Sequence, residues 1–251
     1  MQIDYDFNLT GKTAVITGGA SGIGSAIARA FVAKGVKVAL LDLNLDGAKA
    51  MASGLGEHIL AFRCDVSNSS SVAQAVADAH SGLGDIDILV NSAGIVALAP
   101  AESLSDQDWQ RTLDINLTGT FYMSREVGKI MLKQGKGKII NMASQAATVA
   151  LDQHVAYCAS KFAVVGLTKV LASEWAGRGV TANSISPTVV LTDLGKAAWD
   201  NPNGDAIKKL IPKGRFAEPE EIAATAVFLA SDASDMINGA DLLIDGGYTV
   251  R

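Results

Sequence analysis

The strongest constraint on the fold lies in the first 42 residues. Thr13-Ala-Val-Ile-Thr17 is a short apolar run rich in β-branched residues. The glycine-rich turn Thr17-Gly-Gly-Ala-Ser-Gly-Ile-Gly24 leads from it into a helical stretch. From Ile23 to Lys34, Ile23, Ile27, Ala30 and Phe31 share one helical face, and Gly35 follows where a left-handed cap is wanted. Val36-Lys-Val-Ala-Leu-Leu-Asp42 reads as the next strand. The alternation continues, with strands expected at 59–63, 86–90, 138–142, 180–185 and 241–244 and helices between them. The longest helical stretches are 105–132, opened by the capping sequence Ser105-Asp-Gln-Asp108, and 155–177. Such alternation implies a doubly wound parallel α/β sheet covered by helices on both faces. Right-handed crossovers then put ligands beyond the carboxyl ends of the strands.

A chain of 251 residues, 49% hydrophobic and 19% charged, fits such a fold with a substantial core. No repeat, low-complexity tract or linker divides it, so residues 1–251 are read as one domain. A net charge of -5 argues against a nucleic-acid partner. No run approaches the about 20 apolar residues of a membrane span, and the polar start Met1-Gln-Ile-Asp-Tyr-Asp6 is no signal peptide. Cys64 and Cys158 are too few for a disulfide scaffold and lack metal-ligand spacing, so no metal site is expected. These readings point to a soluble cytoplasmic protein. Four of the five prolines, Pro187, Pro202, Pro212 and Pro219, cluster late in the chain. Proline breaks regular pairing, so an irregular flap over the ligand site is expected around 188–217.

The first turn sets Gly18, Gly22 and Gly24, with Ser21 and Ile23 beside them, at the start of a helix. Glycine lets the backbone turn tightly and approach a pyrophosphate, whose charge is met by the helix N-terminus. Glycines alone also mark ordinary strand–helix turns. Here the strand before, the helix after and an acid 18 positions beyond Gly24 complete a dinucleotide-binding pattern. That acid, Asp42, ends the second strand, where a carboxylate accepts hydrogen bonds from an adenosine ribose and repels a 2′-phosphate. Leu43, not an arginine, follows it, so NAD is favoured over NADP. A solvated strand-end acid is the competing reading. Asp65-Val66 after the third strand and Asn91-Ser-Ala93-Gly94 after the fourth lie at the same edge, where adenine and the second ribose should rest.

Tyr157 and Lys161 stand one helical turn apart, 13 residues beyond Ser144. A phenol with a reference pKa near ~10 is a poor base at neutral pH. A neighbouring ammonium is expected to favour the phenolate, by roughly 3–4 kcal/mol. Ser144 ends the fifth strand and can donate to, or orient, a substrate oxygen. A Tyr-x-x-x-Lys pair by itself is common on helix surfaces. Its place after a strand-end serine in a dinucleotide fold gives it weight.

Thr17–Gly24, Asn91–Gly94, Asn116, Ser144, Tyr157 and Lys161 together resemble the short-chain dehydrogenase/reductase family, over essentially the whole chain. The resemblance implies a seven-stranded Rossmann sheet, commonly in a homotetramer. It implies that Asn116 holds a water in a proton relay with Lys161, and that Lys161 contacts the nicotinamide ribose. Without it, Asn116 would read as an ordinary polar helix position. The implied chemistry is oxidation of an alcohol: Tyr157 phenolate takes the hydroxyl proton, hydride passes to the nicotinamide ring, and Ser144 steadies the developing charge.

Two departures from the common family pattern narrow the substrate. Asn91-Ser92 stands where many members have Asn-Asn, and Pro187-Thr188 stands where many have Pro-Gly. The second puts the family's contacts at Thr188 in doubt, while Val190 and Thr192, after Pro187, still align with the nicotinamide carboxamide and phosphate contacts. With Gln145, His154, Cys158 and Trp199, these departures are similar to polyol dehydrogenases and L-xylulose reductases, which interconvert sugar alcohols and ketoses. Gln145 and His154 flank the catalytic pair and can hydrogen-bond several hydroxyls, and Trp199 can close over a carbon chain. His154 is alternatively a helix-start residue satisfied by backbone, and Trp199 alternatively a packing residue. Three rivals are weighed. A 3-oxoacyl-carrier-protein reductase would want NADPH and a basic docking patch, of which Lys129, Lys133 and Arg178 give a thin version. A non-catalytic NAD-sensing module has no need of all four of Asn116, Ser144, Tyr157 and Lys161. A hydroxysteroid dehydrogenase would want a greasy flap, whereas Lys196, Asp200, Asn201, Asn203 and Asp205 make this one polar.

Overall fold

In the computed structural model, which describes residues 4–56, 58–199 and 201–250, seven strands form one sheet in the order β3-β2-β1-β4-β5-β6-β7. The strands are β1 (Thr13–Thr17), β2 (Lys37–Asp42), β3 (Leu60–Arg63), β4 (Ile88–Asn91), β5 (Gly137–Met142), β6 (Val180–Pro187) and β7 (Asp241–Ile244). Every neighbouring pair is parallel. All seven fall where apolar runs placed them, with no end shifted by more than two residues. Parallel strands are buried on both faces, which is why they read as continuous apolar runs; all five residues of β1 are buried.

Helices α1 (Gly22–Ala33), α2 (Leu45–Leu55) and α9 (Pro219–Ala230) cover one face, packing Ile27, Phe31, Ala48 and Ile222 against Ile16, Leu40 and Val90. On the other face, α3 (Ser69–Leu83), α5 (Gly119–Gln134) and α6 (Val155–Trp175) pack Val76, Met123, Val127 and Leu171 against Val15, Leu41 and Leu89. Strand order reverses between β1 and β4, so a crevice opens at their carboxyl ends beside Thr17 and Asn91. An 18-residue window within Val155–Arg178 has a mean hydropathy of 1.4, long and apolar enough by composition to span a membrane. Here the helix carries Lys161 and packs against β6, the behaviour of a core helix.

Two further expectations need correction. The long helix expected at 105–132 is not uniform: α4 (Asp106–Leu113), capped by Ser105, runs into a π-helical turn, Asp114–Thr118, before α5 begins. The segment after β6 is not irregular either, because α7 (Asp193–Trp199) and α8 (Pro202–Leu210) form within it. Pro202 and Pro219 open helices, where a missing N–H costs nothing, instead of breaking them. Asp200 and the side chain of Asn203, two of the polar flap positions, lie outside the described residues.

Candidate active site

The glycine turn brings backbone against backbone where a side chain would not fit. Gly18 and Gly22 have φ of 65° and 58°, a region side chains disfavour. A Cβ on Gly18 would lie 3.0 Å from Ala93 Cα, and one on Gly24 would run into the Gly18 carbonyl oxygen. Ser21 occupies the N-cap of α1 without a side-chain hydrogen bond, and no acid sits in the first turn. By contrast α2, α3 and α4 are each capped by a side chain, from Asn44, Asn68 and Ser105. The positive end of α1, with Ile23 in its first turn, is therefore left to an outside anion, and the residues present fit a dinucleotide pyrophosphate.

Asp42 is tied to this turn: its Oδ2 accepts from Ala20 N at 3.0 Å and its Oδ1 from Asn44 N at 2.9 Å. Each oxygen keeps a lone pair for a ribose hydroxyl. Asp65 Oδ1 accepts from the backbone and hydroxyl of Ser67. Val66 is buried against Gly119, where an added Cβ would meet it at 2.9 Å. Burial, then the nearby Asp65 and Asp42, push the Cys64 thiol up to about 12, so it stays protonated. Asn91 is committed inward, its Nδ2 donating to Ser124 Oγ at 3.0 Å and Asn141 Oδ1 at 2.8 Å. Thr17, whose role the sequence reading missed, accepts from both Ser92 N and Ala93 N at 3.1 Å, binding the loop after β4 to the end of β1. Its place as the last residue of the first strand was the available signal.

Gly94 joins the two halves of the site. A Cβ there would lie 3.3 Å from Asn116 Oδ1 and 3.7 Å from Lys161 Nζ. Both amide protons of Asn116 are used: Nδ2 donates to Ile95 O at 2.9 Å and Ser160 Oγ at 3.1 Å, while Oδ1 accepts from Ile95 N at 2.8 Å. Its carbonyl accepts from Thr120 Oγ1. These bonds hold Asn116 in the π-helical turn and lock α6 to the loop after β4.

Ser144, just past β5, is buried and its Oγ accepts from Ala146 N at 3.2 Å, capping a 3-10 turn, Gln145–Ala147. Lys161, 5% exposed, donates from Nζ to Met142 O at 2.7 Å, and Nζ lies 5.5 Å from the Tyr157 ring centroid. The sequence reading had the ammonium making the phenol more acidic; in the structure burial pushes Tyr157 above its ordinary value, with the Ser144 hydrogen bond pulling it back. Burial likewise pushes the Lys161 amine down from 10.5 to about 8. Desolvation disfavours both charged forms, and it is the leading cause of each shift.

Around this pair, His154 is the N-cap residue of α6, its Nδ1 donating to Asp152 O at 2.7 Å and its ring edge-on to Tyr157 at 6.0 Å. Gln145 is buried, with no partner for Oε1. Trp199 packs on Phe216, centroids 6.3 Å apart, which is the packing alternative. Pro187 pairs with Ile244, Val190 bridges to Ala217, and Thr192 Oγ1 accepts from Gly195 N at 3.0 Å, capping α7. A Cβ on Gly22 would sit 3.6 Å from Thr192, so the flap closes onto the glycine turn. Among the described residues, no three His, Cys, Asp or Glu side chains converge as metal ligands.

Comparison with known proteins extends this geometry. The chain matches the family model described as enoyl-(acyl carrier protein) reductase over residues 18–249. It is 66% identical to the D-threitol dehydrogenase of Mycolicibacterium smegmatis, covering 100% of this chain and 98% of that one. It is 50% identical to the NAD-dependent glycerol dehydrogenase of Listeria innocua, covering 99% and 98%. A solved structure from Beutenbergia cavernae, described as an NAD(P)-dependent gluconate 5-dehydrogenase with NADP at low occupancy, superposes with a TM-score of 0.92 at 40% identity, over 98% of this chain and 99% of that one. One of these proteins uses NAD and another holds NADP, so the cofactor class is NAD(P). With full-length identity of this order, and Ser144, Tyr157 and Lys161 gathered at the strand ends beside an uncapped glycine turn, the chain belongs to the short-chain dehydrogenase/reductase family.

Proposed function

We propose that the chain is an NAD-dependent dehydrogenase that oxidises a secondary hydroxyl of a sugar alcohol to the corresponding ketose. The observation that carries it is the meeting of Ser144, Tyr157 and Lys161 with Gly94 at the carboxyl ends of β4 and β5. The polyol class is supported by full-length identity to the threitol and glycerol dehydrogenases and by the polar Gln145 beside Ser144. Bound NAD supplies the hydride acceptor. The α1 N-terminus neutralises its pyrophosphate, and the lone pairs left on Asp42 take ribose hydroxyls and repel a 2′-phosphate. Tyr157 accepts the substrate hydroxyl proton while Ser144 donates to the same oxygen. Lys161 would hold the ribose of the bound cofactor and, with the Asn116 backbone and a water, would return the proton to solvent. Gln145, His154 and Trp199 bound the substrate, with α7 and α8 as its cover. Exposed Trp109, Phe121, Phe162 and Val170 on adjoining α4, α5 and α6 support burial against further copies in a homotetramer, which light scattering tests.

A carrier-protein reductase fits less well. Lys129 and Lys133 line a groove with His80 and Asp85, near the amino ends of β4 and β5, and Arg178 precedes β6. The basic residues thus lie toward the opposite end of the strands from Tyr157, away from where a thioester would meet it. The deciding experiment follows NADH absorbance with threitol, glycerol, xylitol, arabinitol, sorbitol and galactitol, each with NAD and NADP. Acetoacetyl thioester with NADPH is the counter-assay. Polyol oxidation preferring NAD is expected; inert polyols alongside rapid thioester reduction would replace this reading with the carrier-protein one.

A further inference from the structure

Two buried side-chain atoms beyond the ends of β5 and β6 have no hydrogen-bonding partner: Gln145 Oε1 and Thr188 Oγ1, on residues 4% and 8% exposed. A third, Asn91 Oδ1, belongs to an amide already anchored inside the sheet by Ser124 and Asn141. Met142 pairs with Ile185 in the parallel ladder, so counting on along both segments matches Ser144 with Pro187 and Gln145 with Thr188. The turn Gln145–Ala147 packs against β6. The backbone at Thr188 is fixed by donation from its N to Ile244 O at 3.1 Å, while its hydroxyl finds no partner. Along β6, the alternate residues Ser184 and Ser186 both donate to Asp241 Oδ1; Thr188 is next in that series and finds no such acceptor.

A buried polar atom without a partner is destabilising, and a site retains one where a ligand completes it. A hydroxyl both donates and accepts, and so does a sugar hydroxyl. The geometry points to Thr188 as a specificity residue: its hydroxyl bonds the substrate hydroxyl on the carbon next to the one oxidised, beside Gln145. This rests on the polyol reading above. Ser144 and Tyr157 take the reacting oxygen, and a polyol differs from a simple secondary alcohol in presenting a second hydroxyl one carbon away. A substrate lacking that group leaves Thr188 unpaired and is rejected for it.

The test compares wild type with Thr188→Val, which keeps the branched volume and removes the hydroxyl, and Thr188→Ser, which keeps the hydroxyl. Thr188→Ala replaces the valine variant if that one does not fold. Steady-state kcat/KM is measured for threitol and for 2-butanol at saturating NAD, and NADH affinity by fluorescence titration. The threitol-to-2-butanol ratio is expected to fall about 10- to 100-fold in Thr188→Val, through KM more than kcat, and to be restored in Thr188→Ser. NADH affinity should stay the same. An unchanged ratio, or an equal loss on both alcohols, overturns the inference. Weaker NADH binding would assign the hydroxyl to the nucleotide instead. Wild type inactive on every polyol would sink the function reading itself, a result visible before any variant is made.

Discussion

Replacing Lys161 by methionine should make the protein more stable while removing its activity. The amine is 5% exposed, and burial pushes its pKa from 10.5 to about 8. That difference corresponds to about 3 kcal/mol spent on keeping the charged form in the cleft at neutral pH. Methionine fills similar volume without charge but gives up the bond to Met142 O, worth about 1 kcal/mol. The net gain expected at pH 7 is about 2 kcal/mol, or roughly 4–8 °C in Tm for a chain of this size. The pH dependence separates this cause from repacking. The folded-state pKa lies below the unfolded one, so between pH 8 and 10.5 the unfolded chain binds more protons and wild-type stability rises with pH. Lys161→Met lacks that rise. Its advantage should be full below pH 8 and close as pH approaches 10.5, as followed by urea unfolding at a series of pH values. A variant no more stable at pH 7, or a gap indifferent to pH, would refute the electrostatic argument.

The elevated Tyr157 phenol places the rising limb of polyol oxidation on the alkaline side of neutrality, because the base form must be present. Removing the Ser144 hydrogen bond in Ser144→Ala should move the kcat/KM limb further alkaline as well as slow the reaction; a limb that stays put would exclude that bond as a source of acidity. In Gly24→Ala the new methyl meets the Gly18 carbonyl, so the turn must open. NADH affinity by fluorescence should drop at least about tenfold, with about 1–3 kcal/mol of stability lost, and unaltered affinity would remove this turn from the cofactor site.

The inner strands were legible because they are buried on both faces: Thr13–Thr17 and Ile88–Asn91 are buried throughout and mostly apolar, which no helix on a solvated surface would be. The gathering of Ser144, Tyr157 and Lys161 was legible through spacing, since a four-residue interval on α6 and a serine just past β5 are properties of the chain order. What failed depended on depth or on distant partners. Pro202 was read as a breaker, though the same ring opens α8. The interruption at Asp114–Thr118 has no local signature, because the Asn116 bonds that accompany it run to Ile95 and to Ser160, 44 residues away. The direction of the Tyr157 shift follows from how far the ring is withdrawn from water, which spacing does not record.

The widened turn at Asp114–Thr118 also sets the phase of everything after it. A π-helical turn absorbs one residue more than an α-helical one, and each residue advances an α-helix by about 100°. Loss of one residue within this stretch would return it to α-helix and leave Met123, Val127 and Met131 facing the sheet, whereas a loss from the regular helix after Gly119 would turn them toward solvent. Natural single-residue deletions in this helix should for this reason fall within the widened turn.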